Sequence, residues 1–191
     1  MEGLLLILLL AVVLLVPAIF VLANYNRLVA VRAHLRESWA DIDVELQRRY
    51  ELIPNLVETV KGYAKHEQEV LRQVVELRNK AAAPHTSTAL QAVDDRAMQM
   101  GVERLMAVAE NYPDLKADVH FLALQKELTV TEDRLAAARR FYNGNVRELN
   151  ELCQAFPANL IAGAFGFEMA EYFETASAAQ RTAPRVDVQD G

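Results

Sequence analysis

The order of apolar and polar residues divides the chain into an apolar segment, a series of amphipathic segments and a polar tail. Residues 3–23 read GLLLILLLAVVLLVPAIFVLA and contain no charged side chain. A helix of this length spans about 30 Å, the thickness of the hydrocarbon core of a bilayer. We therefore predict a transmembrane anchor over residues 1–24, and its span includes Gly3, Leu10, Pro17 and Ala23.

A cleaved signal peptide is the alternative interpretation of the same segment. Val21 and Ala23 form a small-residue pattern of the type that precedes a cleavage site. However, only Glu2 precedes the apolar run, so the segment has no basic leading region. The run is also longer than the roughly 7–15 apolar residues of a signal peptide. These features favour a retained anchor.

The charges beside the anchor predict its orientation. Arg27, Arg32 and Arg36 follow the apolar segment, and no lysine or arginine precedes it. Because positively charged flanks stay on the cytoplasmic side, the N-terminus is expected outside and the C-terminal domain in the cytoplasm.

Apolar residues recur at intervals of three and four from Asn24 onward, which is typical of amphipathic helices. No turn signal separates the anchor from the first of them. The buried face of the third helix is expected to carry six apolar residues: Leu90, Val93, Ala97, Met100, Leu105 and Val108. Residues 174–191 are polar and are predicted to be a disordered tail. Four helices are predicted, over residues 24–53, 54–82, 88–110 and 114–156.

Pro54 interrupts the helical pattern of residues 48–60, RRYELIPNLVETV. Proline in a helix interior costs about 3 kcal/mol, whereas in the first turn of a helix its missing N–H has no partner to lose. We therefore predict that the chain reverses at Ile53, Pro54 and Asn55, and a kink in one continuous helix is the alternative. The fold class is then all-α: a transmembrane helix that continues into an up-and-down antiparallel bundle of about four helices, over residues 25–173.

Such a bundle returns the apolar segment after the fourth helix to the bilayer side. Leu160, Ile161, Phe165 and Phe167 are therefore candidates for contact with lipid headgroups, with the root of the anchor or with a partner protein. The alternative is that this segment only closes the core of the bundle.

Composition and charge narrow the chemistry. The chain is 52% hydrophobic and carries a net charge of −6, which disfavours nucleic acid as a partner. Cys153 is the only cysteine, so no intramolecular disulfide can form. Arg48 and Arg49 are expected on a solvated face or in salt bridges. The four histidines lack the spacings of zinc-protease and di-iron helices, and no phosphate loop or nucleophile elbow occurs. We predict no catalytic residue, no metal site and no cofactor.

Four motifs resemble the LemA family, in this order along the chain: RRYELIPNLVETVKGYAKHE at 48–67, RLMAVAENYPDLKAD at 104–118, ARRFYNGNVRELN at 138–150 and FPANLIAGAFGF at 156–167. The resemblance implies a bacterial inner-membrane protein with a single span, a helical bundle and an N-out, C-in topology. It implies no catalytic residue, because none is established for the family.

These observations predict a non-catalytic scaffold or adaptor whose partners are the lipid bilayer, a second copy of the chain and other membrane proteins. Self-association is expected because the fourth helix is longer than its neighbours can cover. One alternative is a periplasmic or membrane-associated enzyme, most plausibly a hydrolase, with an unrecognised site. Another is a periplasmic binding module that signal cleavage releases.

Overall fold

A computed structural model describes residues 1–173; the predicted tail, residues 174–191, lies outside the described residues. All regular structure in the described part is helical, which confirms the all-α class. Residues 1–173 form four long helices and two short ones: α1 (Glu2–Tyr63), α2 (Gln68–Ala81), α3 (Thr88–Ala109), α4 (Pro113–Lys116), α5 (Val119–Gln154) and α6 (Ala158–Ala164).

These helices form two compact units. The anchor unit comprises residues 1–42 and 137–170, and the distal unit comprises residues 43–136 with the described residues after Ala170. Both α1 and α5 contribute residues to each unit, and each unit is described separately below.

The distal unit is an antiparallel arrangement of the C-terminal part of α1 with α2, α3 and the N-terminal part of α5. Arg49 of α1 pairs with Glu132 of α5, and Tyr63 donates a hydrogen bond to Asp118, so residue numbers rise along α1 as they fall along α5. Removal of apolar side chains from water stabilises this unit. Its largest fully buried side chains include Ile53, Leu56, Val60, Val74, Met98, Leu105, Leu115 and Leu135.

The predicted reversal at Ile53, Pro54 and Asn55 is wrong. The first helix continues to Tyr63 without a break, and the chain turns at residues 64–67 instead. Pro54 cannot donate the hydrogen bond that would end on the carbonyl oxygen of Tyr50. The Nε of Arg78 in α2 donates to that oxygen at 3.0 Å. A side chain from the next helix therefore replaces the bond that the proline removes.

Other helix ends follow the expected local chemistry. The third helix begins after Ser87, whose Oγ accepts a hydrogen bond from the N–H of Leu90 at 3.3 Å. Pro113 opens α4, one residue before the predicted start of the fourth helix, but that long helix is divided into α4 and α5. Asp118 starts α5, because its Oδ1 accepts from the N–H groups of His120 and Phe121 at 2.8 and 2.9 Å. The Phe121 N–H and the Tyr63 hydroxyl hold the pKa of Asp118 below its ordinary value.

The buried face of α3 agrees with the predicted one at Leu105, which is fully buried, and differs from it at three other positions. Leu90, Val93 and Met100 are between 52% and 59% exposed. The helix instead buries a face of mainly small residues, because it lies close to α2: a Cβ at Gly101 would be 2.8 Å from Cδ1 of Leu77. The buried apolar side chains of α3 are Ala92, Met98, Leu105 and Ala109. The helix therefore has a second, uncovered apolar face.

Candidate functional site

The apolar segment 3–23 is exposed along its whole length within α1. It is the one helical segment of the described chain that is long and apolar enough to cross a membrane. Because no other part of the described chain covers its side chains, a bilayer is a suitable environment for this segment. The chain thus has a candidate transmembrane helix at its N-terminal end.

An apolar cluster surrounds the part of α1 that directly follows this segment. Leu28 and Val31 of α1 are buried there against α5, α6 and the turn after α6. The residues that α5, α6 and this turn contribute are Leu149, Leu152, Ala158, Ile161, Ala162 and Phe167. This cluster, which we call the root cluster, joins α6 to the base of the anchor.

Polar contacts set the register of α5 against α1 in the anchor unit. Arg27 and Glu148 form an ion pair at 3.1 Å. Further along α1, the Nδ2 of Asn145 donates to Oγ of Ser38 at 3.1 Å. The two helices are therefore antiparallel here, and the C-terminal end of α5 lies beside the base of the anchor.

The turn after α6 buries one of its aromatic side chains, Phe167, and leaves the other, Phe165, exposed. Gly166 has a φ of 67°, and the Phe167 N–H returns to the carbonyl oxygen of Ala162 at 2.9 Å. This is a Schellman motif, in which a residue without a Cβ takes the left-handed conformation. Phe167 enters the root cluster, and the guanidinium of Arg32 lies 4.6 Å from its ring centroid.

A pair of glycine substitutions tests this turn. Gly166→Ala is expected to lower the free energy of unfolding by about 1 kcal/mol, because alanine disfavours the left-handed conformation. Gly163→Ala, inside α6, is expected to raise it by roughly 0.5 kcal/mol, because alanine is a better helix former. A Cβ meets open space at both positions, so neither substitution creates a clash with a neighbouring residue. Urea unfolding followed by circular dichroism in mild detergent measures both, and equal effects of the two substitutions would contradict the assignment.

The four candidate contact residues of this segment separate into two pairs. Ile161 and Phe167 are buried in the root cluster. Leu160 and Phe165 are 63% and 54% exposed. The ring of Phe165 lies against that of Tyr25, with centroids 4.8 Å apart.

Sequence reasoning missed two further side chains at this place. Tyr25 contacts the rings of both Phe165 and Phe167, and Phe156 is 80% exposed. The position of Tyr25, two residues after the apolar segment, was an available signal, because tyrosine is enriched where a helix leaves the bilayer.

Cys153 lies partly buried beside the root cluster, where burial raises the pKa of its thiol. A raised pKa leaves less thiolate for nucleophilic or metal chemistry. Its Sγ lies 3.9 Å from the carbonyl oxygen of Phe167. The contacts of this cysteine are those of a packing residue.

A polar cluster around Arg49 lies inside the distal unit. Arg49 is only 3% exposed, and its Nη1 donates to Glu132 at 2.8 Å. Its Nη2 lies 3.4 Å from Oδ1 of the fully buried Asp95 and donates to the backbone oxygen of the same residue. The expectation of a solvated face is wrong for Arg49, while the salt-bridge alternative holds. Arg48 is more exposed and lies 3.9 Å from Glu45.

His85 of the distal unit belongs to a small group of charged side chains with Lys80 and Asp94, and this group is not a metal-ligand set. His85 lies in the loop before α3, and its Nε2 is 3.0 Å from Asp94, which Lys80 also contacts at 2.8 Å. The hydrogen bond from Lys80 lowers the pKa of Asp94. Within residues 1–173, no group of three or more histidine, cysteine or acidic side chains could hold a metal ion.

Several known proteins are similar to this chain over most of its length. The chain is similar to the magnetosome proteins MamQ 1 and MamQ 2 of Paramagnetospirillum magneticum, at 24% identity over 178 residues that cover 80% of this chain. It is also similar to protein LemA of Metamycoplasma hominis, at 22% identity over 141 residues that cover 72% of this chain. The matches span 65% of each MamQ protein and 63% of the LemA protein, so this chain corresponds to part of each relative.

The family comparison covers most of the sequence. The sequence profile described as the LemA family matches residues 38–188. This range contains the buried Arg49 cluster, the Pro54 segment and the whole of α6. The chain therefore belongs to the LemA family.

Proposed function

We propose that this protein is a membrane-anchored, non-catalytic scaffold of the LemA type that associates with a second copy of itself. The observation that carries the anchoring is the continuity of α1. This helix passes from the exposed apolar segment 3–23 into the root cluster at Leu28 and Val31 without a break. A helix that is exposed at one end and packed at the other is suited to hold a folded domain at a membrane.

The same continuity supports retention of the anchor. Cleavage after Ala23 would fall inside α1 and leave Asn24 as the first residue, next to Tyr25, which is in contact with Phe165 and Phe167. Proteases preferentially cut exposed, irregular segments, and this peptide bond lies in a regular helix.

The proposed location is the bacterial plasma membrane, with the N-terminus outside and the bundle in the cytoplasm. Arg27, Arg32 and Arg36 support this orientation, because all three follow the span. The test uses a membrane-impermeant maleimide on whole cells that carry Cys153→Ser and one new cysteine. Glu2→Cys should react in intact cells, and Glu103→Cys should react only after lysis. The reverse pattern would overturn the orientation.

The polar clusters of the described chain favour a scaffold over an enzyme. The buried guanidinium of Arg49 is already engaged by two carboxylates, and such a compensated cluster is suited to fixing helix positions. Burial also raises the pKa of Cys153, which does not suit a nucleophile.

The uncovered face of α3 is the proposed self-association surface. Leu90, Val93, Ala97 and Met100 follow each other at spacings of three, four and three, which is the a/d pattern of a coiled-coil seam. Three of these side chains are more than half exposed, and a seam of this pattern is suited to packing against the same seam of a second copy. We propose that two α3 helices meet there.

Matched charge substitutions test this surface. The unmodified protein should behave as a dimer in mild detergent, and Val93→Glu should convert it to a monomer, because a charge in the seam would be buried. Val119→Glu places the same side chain on an exposed valine of α5 and should leave the dimer intact. Sedimentation equilibrium or light scattering gives the mass. A monomeric parent protein with intact helicity, or a dimeric Val93→Glu variant, would overturn the proposal.

A further inference from the structure

We propose that α6 and its following turn form a second membrane contact, which we call the interfacial foot. It consists of the exposed side chains of Phe156, Leu160 and Phe165, and its occupant is the headgroup and upper acyl-chain region of the same bilayer that holds the anchor. This inference rests on the proposed anchoring of α1 and adds to it a site that holds the anchor unit against the lipid surface.

The position of Phe165 relative to the anchor carries the inference. Tyr25 follows the last residue of the apolar segment by two positions, which is about 3 Å along a helix axis. The centroid of the Phe165 ring is 4.8 Å from that of Tyr25. Phe165 therefore lies at the height where the hydrocarbon core gives way to headgroups, the zone in which aromatic side chains concentrate.

The composition of the foot fits lipid better than water. Residues 156–167 contain no charged side chain, although charged residues make up 24% of the whole chain. Their inner apolar side chains, Ile161 and Phe167, are already buried in the root cluster. Phe156, Leu160 and Phe165 remain exposed, and an apolar patch of this kind marks an interaction surface. Short apolar faces bind the boundary between headgroups and acyl chains by burying this area.

A cation of the anchor unit follows this zone, because Arg32 is about 14 Å beyond Ala23 along α1. Arg32 lies over the ring of Phe167, on the side of the anchor unit that follows the span, where a guanidinium can reach lipid phosphates. The Gly166 turn leaves Phe165 outside while Phe167 enters the cluster. The fold therefore presents one aromatic side chain outward and secures the next one inward.

The foot would give the protein two attachments to one leaflet. A single helix can rotate about its axis and tilt in the bilayer, and interfacial aromatic anchors restrict both motions. The anchor unit would then meet the membrane in a defined orientation.

The experiment measures the depth of a tryptophan at the foot in the full-length chain, reconstituted in phosphatidylethanolamine and phosphatidylglycerol vesicles. Trp39 is the only native tryptophan, so Trp39→Phe provides a silent background. Phe165→Trp reports on the foot. Phe141→Trp is the matched control, because Phe141 lies in the same unit and is 58% exposed. Its neighbour Tyr142 contacts Trp39, which is about 24 Å beyond Ala23 along α1, so position 141 is expected to lie away from the bilayer.

Lipids brominated near the headgroup end of the acyl chain should quench the tryptophan fluorescence of the Phe165→Trp variant at least about twofold more than that of the Phe141→Trp control. Acrylamide, which stays in water, should quench the control more strongly. A Phe165→Trp variant quenched by acrylamide and not by brominated lipid would overturn the foot. Protection from both quenchers would also overturn it, because it would indicate a protein partner. Leu160→Trp is a second probe with the same expected result, so a poorly folded Phe165→Trp variant does not end the test.

Carbonate extraction of the same vesicles separates the foot from the anchor. Release of the protein into the soluble fraction would overturn the proposed anchoring, and the foot with it. A protein that stays in the membrane while the tryptophan at position 165 reports water would overturn the foot alone. Membrane retention with lipid quenching at position 165 supports both.

Discussion

Replacing Arg49 with leucine is expected to lower the free energy of unfolding by about 3–5 kcal/mol, the range for breaking a buried ion pair from one side. The guanidinium is nearly inaccessible and lies between Asp95, which is fully buried, and Glu132. Its removal leaves the Asp95 carboxylate in the interior without its cation. Urea unfolding in mild detergent, followed by circular dichroism, measures the loss.

The neighbouring arginine is the control for this prediction. Arg48 lies on the solvated side of α1 near Glu45, and Arg48→Leu should cost less than about 1 kcal/mol. The double variant Arg49→Leu with Asp95→Leu should recover most of the lost stability, because a buried pair replaced by apolar side chains is often neutral. Similar costs for Arg48→Leu and Arg49→Leu would show that the cluster is not a buried ion pair.

Replacing Arg78 with methionine is expected to destabilise the protein by about 1–3 kcal/mol, the penalty for an unsatisfied buried polar group. The Nε of Arg78 bonds to the carbonyl oxygen of Tyr50, which lies one helical turn before Pro54. Methionine keeps much of the apolar stem and removes the donor. The carbonyl then has no replacement for the N–H that proline lacks.

A double-mutant cycle with Pro54→Ala isolates this mechanism. Alanine at position 54 supplies the missing N–H, so Arg78→Met in that background should cost only a few tenths of a kcal/mol, roughly the size of an ordinary surface effect. Arg72→Met is the control on α2, because Arg72 forms its ion pairs with the exposed side chains of Glu69 and Glu76 on the same helix. An equal cost of Arg78→Met in both backgrounds would contradict the compensation.

Local signals predicted much of the fold. The helix over residues 3–23, the start of α3 at Thr88 and the start of a helix within one residue of position 114 all depend on residues near in sequence, and the structure has each of these elements. The path through Pro54 could not be predicted in this way. It depends on Arg78, a tertiary partner in the next helix, and the penalty for proline applies in full only where no such partner exists.

The face of α3 shows a second limit of periodicity. Both faces of this helix carry apolar residues, so spacing alone could not identify the buried one. The choice depends on the close approach to Leu77 that Gly101 permits, and that approach leaves Val93 and Met100 outside. The distance between the packed helices determines which face of α3 is buried, and the residue pattern of a single helix does not contain that distance.

The position of the first reversal was predicted wrongly, whereas the number of long helices was predicted correctly. The chain reverses at residues 64–67 and not at Pro54, but within the described residues α1, α2, α3 and α5 still make four passes. Within the anchor unit α5 is antiparallel to α1, and the segment after α5 lies against Leu28 and Val31. The division between buried Phe167 and exposed Phe165 depends on the left-handed Gly166, a conformation that a hydrophobicity pattern does not reveal.

The central claim is that one unbroken helix passes Pro54 and continues to Tyr63, and a distance across the proline tests it most directly. Val44 and Lys61 are both exposed on α1, and spin labels there, on Val44→Cys and Lys61→Cys with Cys153→Ser, leave the core intact. Double electron–electron resonance on the labelled full-length protein, diluted with unlabelled protein in bilayers so that only distances within one copy are measured, should give a single distribution near roughly 26 Å, as for a continuous helix. Loss of this distribution together with dipolar broadening of the continuous-wave spectrum, which reports a separation near about 10 Å as between two packed antiparallel helices, would contradict it.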